Sequence, residues 1–458
     1  MIKVLNQYVP VRLLVLLVTE NLLILLTWTV VEFQVGEWDI TTYPGLIVWA
    51  LVATAVCQLC LYYVDIYDLR SVGSRSEVFF RLVQGLGAAT LLLAGMFLFI
   101  PDMKLNDRVV GIAIVATVFV LLIWRLAAYG LTRAYGTNER VLLVGSSDTV
   151  RKLALAVNRR PDLPIELLGV VSESDKNPME GLHHLGTLSQ LESIIDETAP
   201  DRVILALEER RQALPSNMLL KKRMHGLRIE EANILYQSIT GRIPVESINP
   251  SFLIFSDGFT QSSFRIVYSR LLAILGATTG LILFGPLMLL VSLAIKLESK
   301  GPVLYGQTRV GMNGVPFEIL KFRSMFMDAE SLSGPMWAQE RDPRITRVGG
   351  IIRKLRIDEL PQFLNLLYGH MKFVGPRPER PHFVAQLAKQ IPFYDLRHMV
   401  RPGLTGWAQV SYPYGANVED AKEKLEFDLF YLKNASIWLD LMIIFRTVKI
   451  VLFGMGAR

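Results

Sequence analysis

The chain has 458 residues, of which 51% are hydrophobic and 20% charged, and its mean hydropathy is +0.36. A soluble protein of this length rarely runs so apolar, so composition favours a membrane protein of two or three domains. The net charge of +6 suits anionic lipid or phosphorylated substrates, and the absence of one long basic run disfavours nucleic acid as a partner.

The first apolar run, 11–31, is long enough for a full span and lacks a small-residue cleavage site, so it is not read as a cleavable signal peptide. Runs at 44–63, 82–100 and 109–130 complete four spans, each near the ~20 residues a bilayer core requires. Glu32, Glu37 and Asp39 occupy the first loop; Arg70, Arg75 and Arg81 occupy the second, and Arg133 and Arg140 follow the fourth span. The positive-inside rule then places the N-terminus, the second loop and everything after Arg133 in the cytoplasm. Cys57 and Cys60 lie within an apolar run and read as buried thiols rather than a disulfide or metal pair. Trp28, Trp38, Trp49, Tyr62, Tyr63 and Trp124 suit either interfacial belts or lipid-facing bulk.

A soluble stretch follows at 139–245. Val141 to Gly145 and Val203 to Leu207 read as buried parallel strands, with a helix near 148–159. Alternating strands and helices imply a Rossmann-like α/β unit. Gly145-Ser146-Ser147-Asp148 lacks the GxGxxG pattern, which argues against dinucleotide binding and for a structural or regulatory module. A fifth apolar segment, 266–297, is interrupted by Gly285-Pro286, where a kink is expected because proline removes a helical hydrogen bond. Arg265 and Arg270 precede it, and Lys296, Lys300 and Arg309 follow, so both ends read as cytoplasmic and the segment as a re-entrant helix. The run 436–453, with Asp440, Arg446 and Lys449 inside it, reads as a helix lying in the interface.

Four patches in the last third carry chemistry. Lys321 and Arg323, one residue apart in Lys321-Phe322-Arg323-Ser324-Met325 before Asp328, share a face of an extended segment and could clamp a diphosphate; taken singly, a solvated basic strand is the commoner case. In the second patch, Arg353, Lys354 and Arg356 precede Asp358 and Glu359, and cations that close favour ionised carboxylates. An ionised Asp can attack phosphorus, and a second carboxylate can help hold Mg2+, which takes oxygen ligands and substrate phosphates. The third is Gly375-Pro376-Arg377-Pro378-Glu379, where prolines stiffen the backbone around a guanidinium suited to bidentate phosphate contact. The fourth runs from Arg401 through Pro402, Gly403, Trp407 and Gln409 to Val410, and is equally a nucleotide-binding turn or a plain structural one.

These four ordered motifs resemble the bacterial sugar transferase family of monotopic phosphoglycosyl transferases, over about Arg265 to Arg458. The preceding spans and α/β unit resemble its long-form members, which initiate exopolysaccharide or O-antigen synthesis. Ser411-Tyr412-Pro413-Tyr414-Gly415 departs from the Asn-Gly-Arg-type continuation of many relatives, and with the ending Gly454 to Arg458 it resembles the exosortase-associated subgroup. The resemblance implies a multi-domain membrane protein of the bacterial inner membrane. Its parts are a four-helix transmembrane bundle (1–138), a Rossmann-like domain (139–255) and a mainly α catalytic domain (256–458) with the re-entrant helix. It implies transfer of a hexose-1-phosphate from a UDP-sugar to polyprenyl (undecaprenyl) phosphate on the cytoplasmic face, with UMP released. Asp358 is then similar to the nucleophile and Glu359 to its acidic partner, with Mg2+ held by the pair. Arg353 and Arg377 fall where the family binds phosphate, Lys321 and Arg323 in its basic motif, Arg356 beside the pair, and Arg401 and Gln409 near the nucleotide. The long-form resemblance is compatible with a homodimer. A non-catalytic scaffold leaves the four motifs unexplained, and a nucleotide-sugar dehydrogenase or epimerase is disfavoured because the α/β unit lacks both the glycine fingerprint and a Tyr-xxx-Lys pair.

Overall fold

The computed structural model describes residues 2–4, 7–9, 11–35, 43–68, 75–99, 107–135, 138–145, 147–173, 182–206, 215–248, 250–256, 258–260, 262–327, 343–412, 415 and 417–453. Glu37, Trp38, Asp39, Arg70, Ser146, Leu207, Asp328, Pro413, Tyr414 and 454–458, named above, lie outside these residues. The chain divides into two compact units, with the main boundary between Leu235 and Tyr236.

Short strands β1 (Ile2–Val4) and β2 (Gln7–Val9) precede the four helices of the first unit: α1 (Val11–Val35), α2 (Tyr43–Tyr63), α3 (Arg75–Phe99) and α4 (Asp107–Tyr135). The four expected spans fall on these helices. By length and composition, Leu13–Val35, Ser76–Phe99 and Arg108–Ala128 could each cross a membrane, while Ile47–Tyr63 is apolar but shorter. The helices are apolar all round, as buried or lipid-facing helices are. Ile24, Trp28, Ala53, Leu86 and Leu121 pack inward, whereas Leu22, Leu26, Leu91 and Phe119 point out. Trp28 is fully buried, so it belongs to the bundle core and not to an interfacial belt. Cys57 and Cys60 are buried free thiols. The bundle also encloses a charged pair: Arg125 Nε lies 2.8 Å from Glu20 Oε1, and Tyr67 donates to Glu20 Oε2 at 2.6 Å.

The same unit continues through β3 (Glu139–Val144), α5 (Asp148–Asn158), β4 (Ile165–Ser172), β5 (His184–Thr187), α6 (Leu191–Thr198), β6 (Arg202–Leu205), α7 (Ser216–Met224), β7 (Arg228–Glu231) and into α8 (Ala232–Thr240). The strands form one sheet in the order β5-β4-β3-β6-β7, and every pairing is parallel. Such a sheet is covered on both faces, which explains why β3 reads as an unbroken apolar run. Leu142, Val144, Val203, Ile194 and Ile195 make one of its cores.

The second unit contains α9 (Pro250–Phe255), α10 (Ser263–Glu298), β8 (Leu304–Val310), β9 (Pro316–Phe322), α11 (Arg347–Lys354), α12 (Gln362–Tyr368), β10 (Lys372–Val374), α13 (Pro381–Gln390), β11 (Gly403–Thr405), α14 (Trp407–Ser411), α15 (Val418–Asn434) and α16 (Ile437–Leu452). β8 and β9 form an antiparallel hairpin; β10 and β11 pair in parallel. Ile243, Val245 and Ile248 pack with Trp407, Phe427, Phe430 and Tyr431 in its main core, so the segment just after α8 belongs to this unit.

α10 spans 36 residues, roughly 54 Å at 1.5 Å per residue. It runs unbroken through Gly285-Pro286, where a kink is expected, with Pro286 inside one continuous helix. Packing on both sides of the proline holds the two halves against the same body. Ala273 and Ala277 meet Leu366 and Met371, and Leu287, Met288, Val291 and Ile295 meet Phe322 and Ile352. Between them, a Cβ at Gly280 would sit 2.6 Å from Phe363 Cζ, so the bare backbone is what admits that ring. The opposite face, with Leu275, Ile282, Leu283, Leu289 and Leu293, is exposed.

Candidate functional site

The carboxylate pair sits on a tight turn between two anchored helices. Thr346 caps α11 by accepting from Gly349 N at 2.9 Å. The helix stops where Arg356 adopts a left-handed conformation, φ 55°. A non-glycine residue there stores of order 1–3 kcal/mol of strain, held by its surroundings. One 3-10 turn, Ile357–Glu359, follows, and α12 begins after Pro361. Ile357 and Leu360 pack beside α10. The residues between them, Asp358 and Glu359, are half-buried at the site.

The two carboxylates are not equivalent. Glu359 Oε1 accepts from Arg377 Nη2 at 2.7 Å and lies 3.7 Å from Lys321 Nζ. Its Oε2 is 3.8 Å from Arg356 Nη1. Burial opposes ionisation of Glu359, but Arg377, Lys321 and Arg356 overcome it and hold the carboxyl well below the usual carboxylate range. Asp358 makes no hydrogen bond or ion pair among the described residues. Burial, and then the charge on Glu359, push it up to about 6, although Lys321, Arg353 and Arg377 pull the other way. The basic run before the pair was expected to favour both ionised forms. Instead the closest cation contacts fall on Glu359. Lys321 is itself shifted down, chiefly by burial.

Arg377 is aimed by its backbone. Gly375 N donates to Thr405 O and Gly403 N to Pro376 O, both at 2.9 Å. A Cβ on Gly403 would lie 2.1 Å from Gly375 N, so the third and fourth motifs are zipped main chain to main chain. Arg397 Nη2 donates to Arg377 O at 3.0 Å and pairs with Asp428 Oδ2 at 2.8 Å. Its Nη1 donates to Tyr394 Oη at 2.7 Å. On the other side, Arg309 Nη1 donates to Glu379 Oε1 at 2.9 Å and to Pro378 O at 3.2 Å. Sequence reading missed Arg397, Asp428 and Arg309 as supports; Arg397 and Asp428 lie 31 positions apart, and no local pattern marks them.

The other expected residues separate. Lys321 stands at the pair. Arg323 does not join it in a clamp: its buried guanidinium donates to Lys300 O at 2.7 Å, Ser299 O at 2.8 Å and Ser299 Oγ at 2.9 Å. It closes the C-terminal end of α10, whose last carbonyls lack helical partners. Arg353 acts on Asp358 through its charge. Arg401 is exposed and acts on Lys372. Gln409 Nε2 donates to Leu404 O at 3.3 Å. Trp407 is 3% exposed and donates to Gly241 O at 2.9 Å, so that aromatic belongs to the core, not to a base-stacking surface.

No three His, Cys, Asp or Glu side chains enclose a metal among the described residues. The donor set fits Mg2+ of the open kind, held by one or two carboxylates and completed by substrate phosphate oxygens. Asp358 has no ion-pair partner among the described residues, and Glu359 stays ionised.

Residues 264–454 match the family model described as bacterial sugar transferase, and 62–224 match one described as CoA-binding domain. The UDP-glucose:undecaprenyl-phosphate glucose-1-phosphate transferase of Klebsiella pneumoniae is 33% identical over 415 residues, 88% of each chain. That of Escherichia coli K12 is 30% identical over 433 residues, covering 90% of this chain and 91% of that one. The UDP-N-acetylgalactosamine-undecaprenyl-phosphate N-acetylgalactosaminephosphotransferase of Aeromonas hydrophila is 47% identical over 222 residues, 48% of this chain. The match spans about half that relative's length, 52%.

Proposed function

The chain belongs to the bacterial sugar transferase family, and from that premise we propose that it moves a sugar-1-phosphate from a UDP-sugar to polyprenyl phosphate. The observation that carries the reading is the asymmetry of the carboxylate pair. Glu359 is fixed and ionised under Arg377 and Lys321, while Asp358 beside it has no ion-pair partner among the described residues, is desolvated, and is free to act as the attacking group.

In the first half-reaction an Asp358 oxygen attacks the phosphorus bonded to the sugar. A phosphorus–oxygen bond forms to the carboxylate, and the bond to the UMP oxygen breaks. Lys321, Arg353 and Arg377 offset the charge of the diphosphate, and Arg377 is held in place by the paired backbones of β10 and β11. Arg356 supports Glu359. Mg2+, where bound by Asp358 and Glu359, supplies charge neutralisation of the phosphates. In the second half-reaction a phosphate oxygen of the lipid attacks the same phosphorus and releases Asp358. The product is a sugar linked to the lipid through a diphosphate, the first membrane step of a polysaccharide such as an exopolysaccharide or O-antigen.

We assign this site to the cytoplasmic face of the bacterial inner membrane, where nucleotide sugars are made. We read α10 as re-entrant: it remains one continuous helix with Pro286 inside it, bent at the proline so that both ends meet the cytoplasmic face. Its packing supports this: a helix crossing the bilayer would carry its partners Phe322, Ile352, Ile357 and Leu360, and with them the carboxylates, into hydrocarbon. In a Cys-free variant, cysteines placed at 262 and 300 should be equally protected from an impermeant thiol reagent. Labelling of 300 alone rejects the topology. For the chemistry, purified protein is supplied with a panel of UDP-sugars and polyprenyl phosphate. UMP release by wild type, and none by a folded Asp358→Asn variant, is expected. No release with any sugar leaves a scaffold, and full activity in Asp358→Asn rejects the nucleophile.

A further inference from the structure

A second cationic cluster stands where α10 and α16 begin, apart from the carboxylates. Lys372 opens β10, and its ammonium lies 5.3 Å from the centre of the Tyr431 ring. Arg265, in the first turn of α10, lies over the same ring at 5.6 Å and donates to its hydroxyl at 3.3 Å. Tyr431 is buried, and its hydroxyl donates to Asp440 Oδ1 at 2.8 Å. Arg401 precedes Gly403, the residue that pairs with Lys372 across β10 and β11. Lys372 makes no ion pair or hydrogen bond through its ammonium among the described residues. Besides its burial, the charges that act on it are those of Arg265 and Arg401, of like sign, and of Asp440, of opposite sign. The cluster therefore holds an excess of two positive charges.

Apolar surface flanks it on both helices. On α10, Phe264 is 70% and Val267 58% exposed; on α16, Trp438 is 70% exposed and Leu441, Phe445, Val448 and Leu452 follow at helical spacing on the same face. Excess positive charge at the foot of two apolar faces complements a phosphomonoester on a long hydrocarbon chain. We propose that Lys372, Arg265 and Arg401 form a docking site for the phosphate of the polyprenyl acceptor. This rests on the transferase reading above. Arg377 lies five residues beyond Lys372, so their Cα atoms are at most about 17 Å apart. The docking cluster and the carboxylate site are therefore separate but lie on neighbouring stretches of one short segment.

A two-step cycle through an enzyme-bound intermediate separates the halves kinetically. kcat/KM for the UDP-sugar reports the first half-reaction alone, and kcat/KM for the lipid reports the second. Full-length protein in zwitterionic detergent micelles is assayed as wild type, Lys372→Met, Arg265→Gln and Lys372→Arg. Loss of one charged contact to phosphate should lower kcat/KM for polyprenyl phosphate about tenfold in the first two variants. kcat/KM for the UDP-sugar should stay unchanged, and Lys372→Arg should restore most of the loss. Unchanged lipid kinetics in both variants, or an equal fall in both specificity constants, overturns the site. Titration with phosphatidylglycerol gives the second arm. Stimulation by that lipid, lost in Lys372→Met while polyprenyl kinetics stay normal, assigns the cluster to bulk phospholipid and overturns the acceptor. Wild-type protein that releases no UMP refutes the transferase reading, and this is seen before any variant is compared.

Discussion

Arg323→Met separates structure from chemistry. The guanidinium holds Ser299 O, Ser299 Oγ and Lys300 O at 2.7–2.9 Å and is buried at 6% exposure. A hydrogen bond to a charged group contributes roughly 1.5–3 kcal/mol net, and water can reach part of the vacated end, so a loss of about 3 kcal/mol is expected. For a unit of the size of Tyr236–Arg458 that lowers Tm by roughly 6–12 °C. Thermal unfolding in detergent measures the loss, and initial rates of UMP release at low temperature measure the chemistry. The folded fraction should keep its KM for the UDP-sugar. A variant with unchanged Tm and UMP release down by about 100-fold or more, some 2.7 kcal/mol of transition-state stabilisation, would place the guanidinium on substrate and refute the argument.

Asp358 must be ionised to attack, and its pKa of about 6 lies above the ordinary 3.8. UMP release at limiting UDP-sugar should therefore fall below pH 6, about tenfold per unit; a limb near pH 4 contradicts the desolvated carboxylate. Arg377→Met removes the 2.7 Å partner of Glu359 and should cut UMP release by about 100-fold or more, with Tm little changed; a loss confined to KM rejects its role at the transferred phosphate. Chelation by EDTA should abolish turnover and added Mg2+ restore it, and activity that survives chelation removes the metal. A chain begun at Ser256 loses Ile243, Val245 and Ile248, at most 7% exposed, and should be destabilised by about 4–9 kcal/mol. One begun just before Tyr236 should fold and release UMP, and equal stability of the two discounts those contacts.

Elements set by run length were legible in the sequence. The four helices of the bundle and α10 announce themselves because a bilayer or a buried face demands long apolar runs, and β3 because a parallel strand is apolar on both faces. The carboxylate pair was legible from its cations. Its asymmetry was not, because it depends on Arg377, 18 positions further on, reaching one oxygen of Glu359. Spacing put Lys321 and Arg323 on one side of a strand but could not say that the end of α10 lies under only one of them. Trp407 read equally as part of a nucleotide-binding turn or of a plain structural one. A buried core tryptophan and a stacking surface share a local sequence, and only the carbonyl of Gly241 distinguishes them.

The buried pair of Arg397 and Asp428, which holds the backbone behind Arg377, also constrains how this sequence can drift. Losing either member strands a charge away from water, at about 3–5 kcal/mol, whereas exchanging both for well-fitted apolar side chains can be nearly neutral for the fold. Single substitutions at either position are therefore dead ends, and the path between the two solutions runs through a valley that only a concerted change crosses. Even that crossing would release the carbonyl of Arg377. Fold stability and catalysis would then part company at two positions that never touch the substrate.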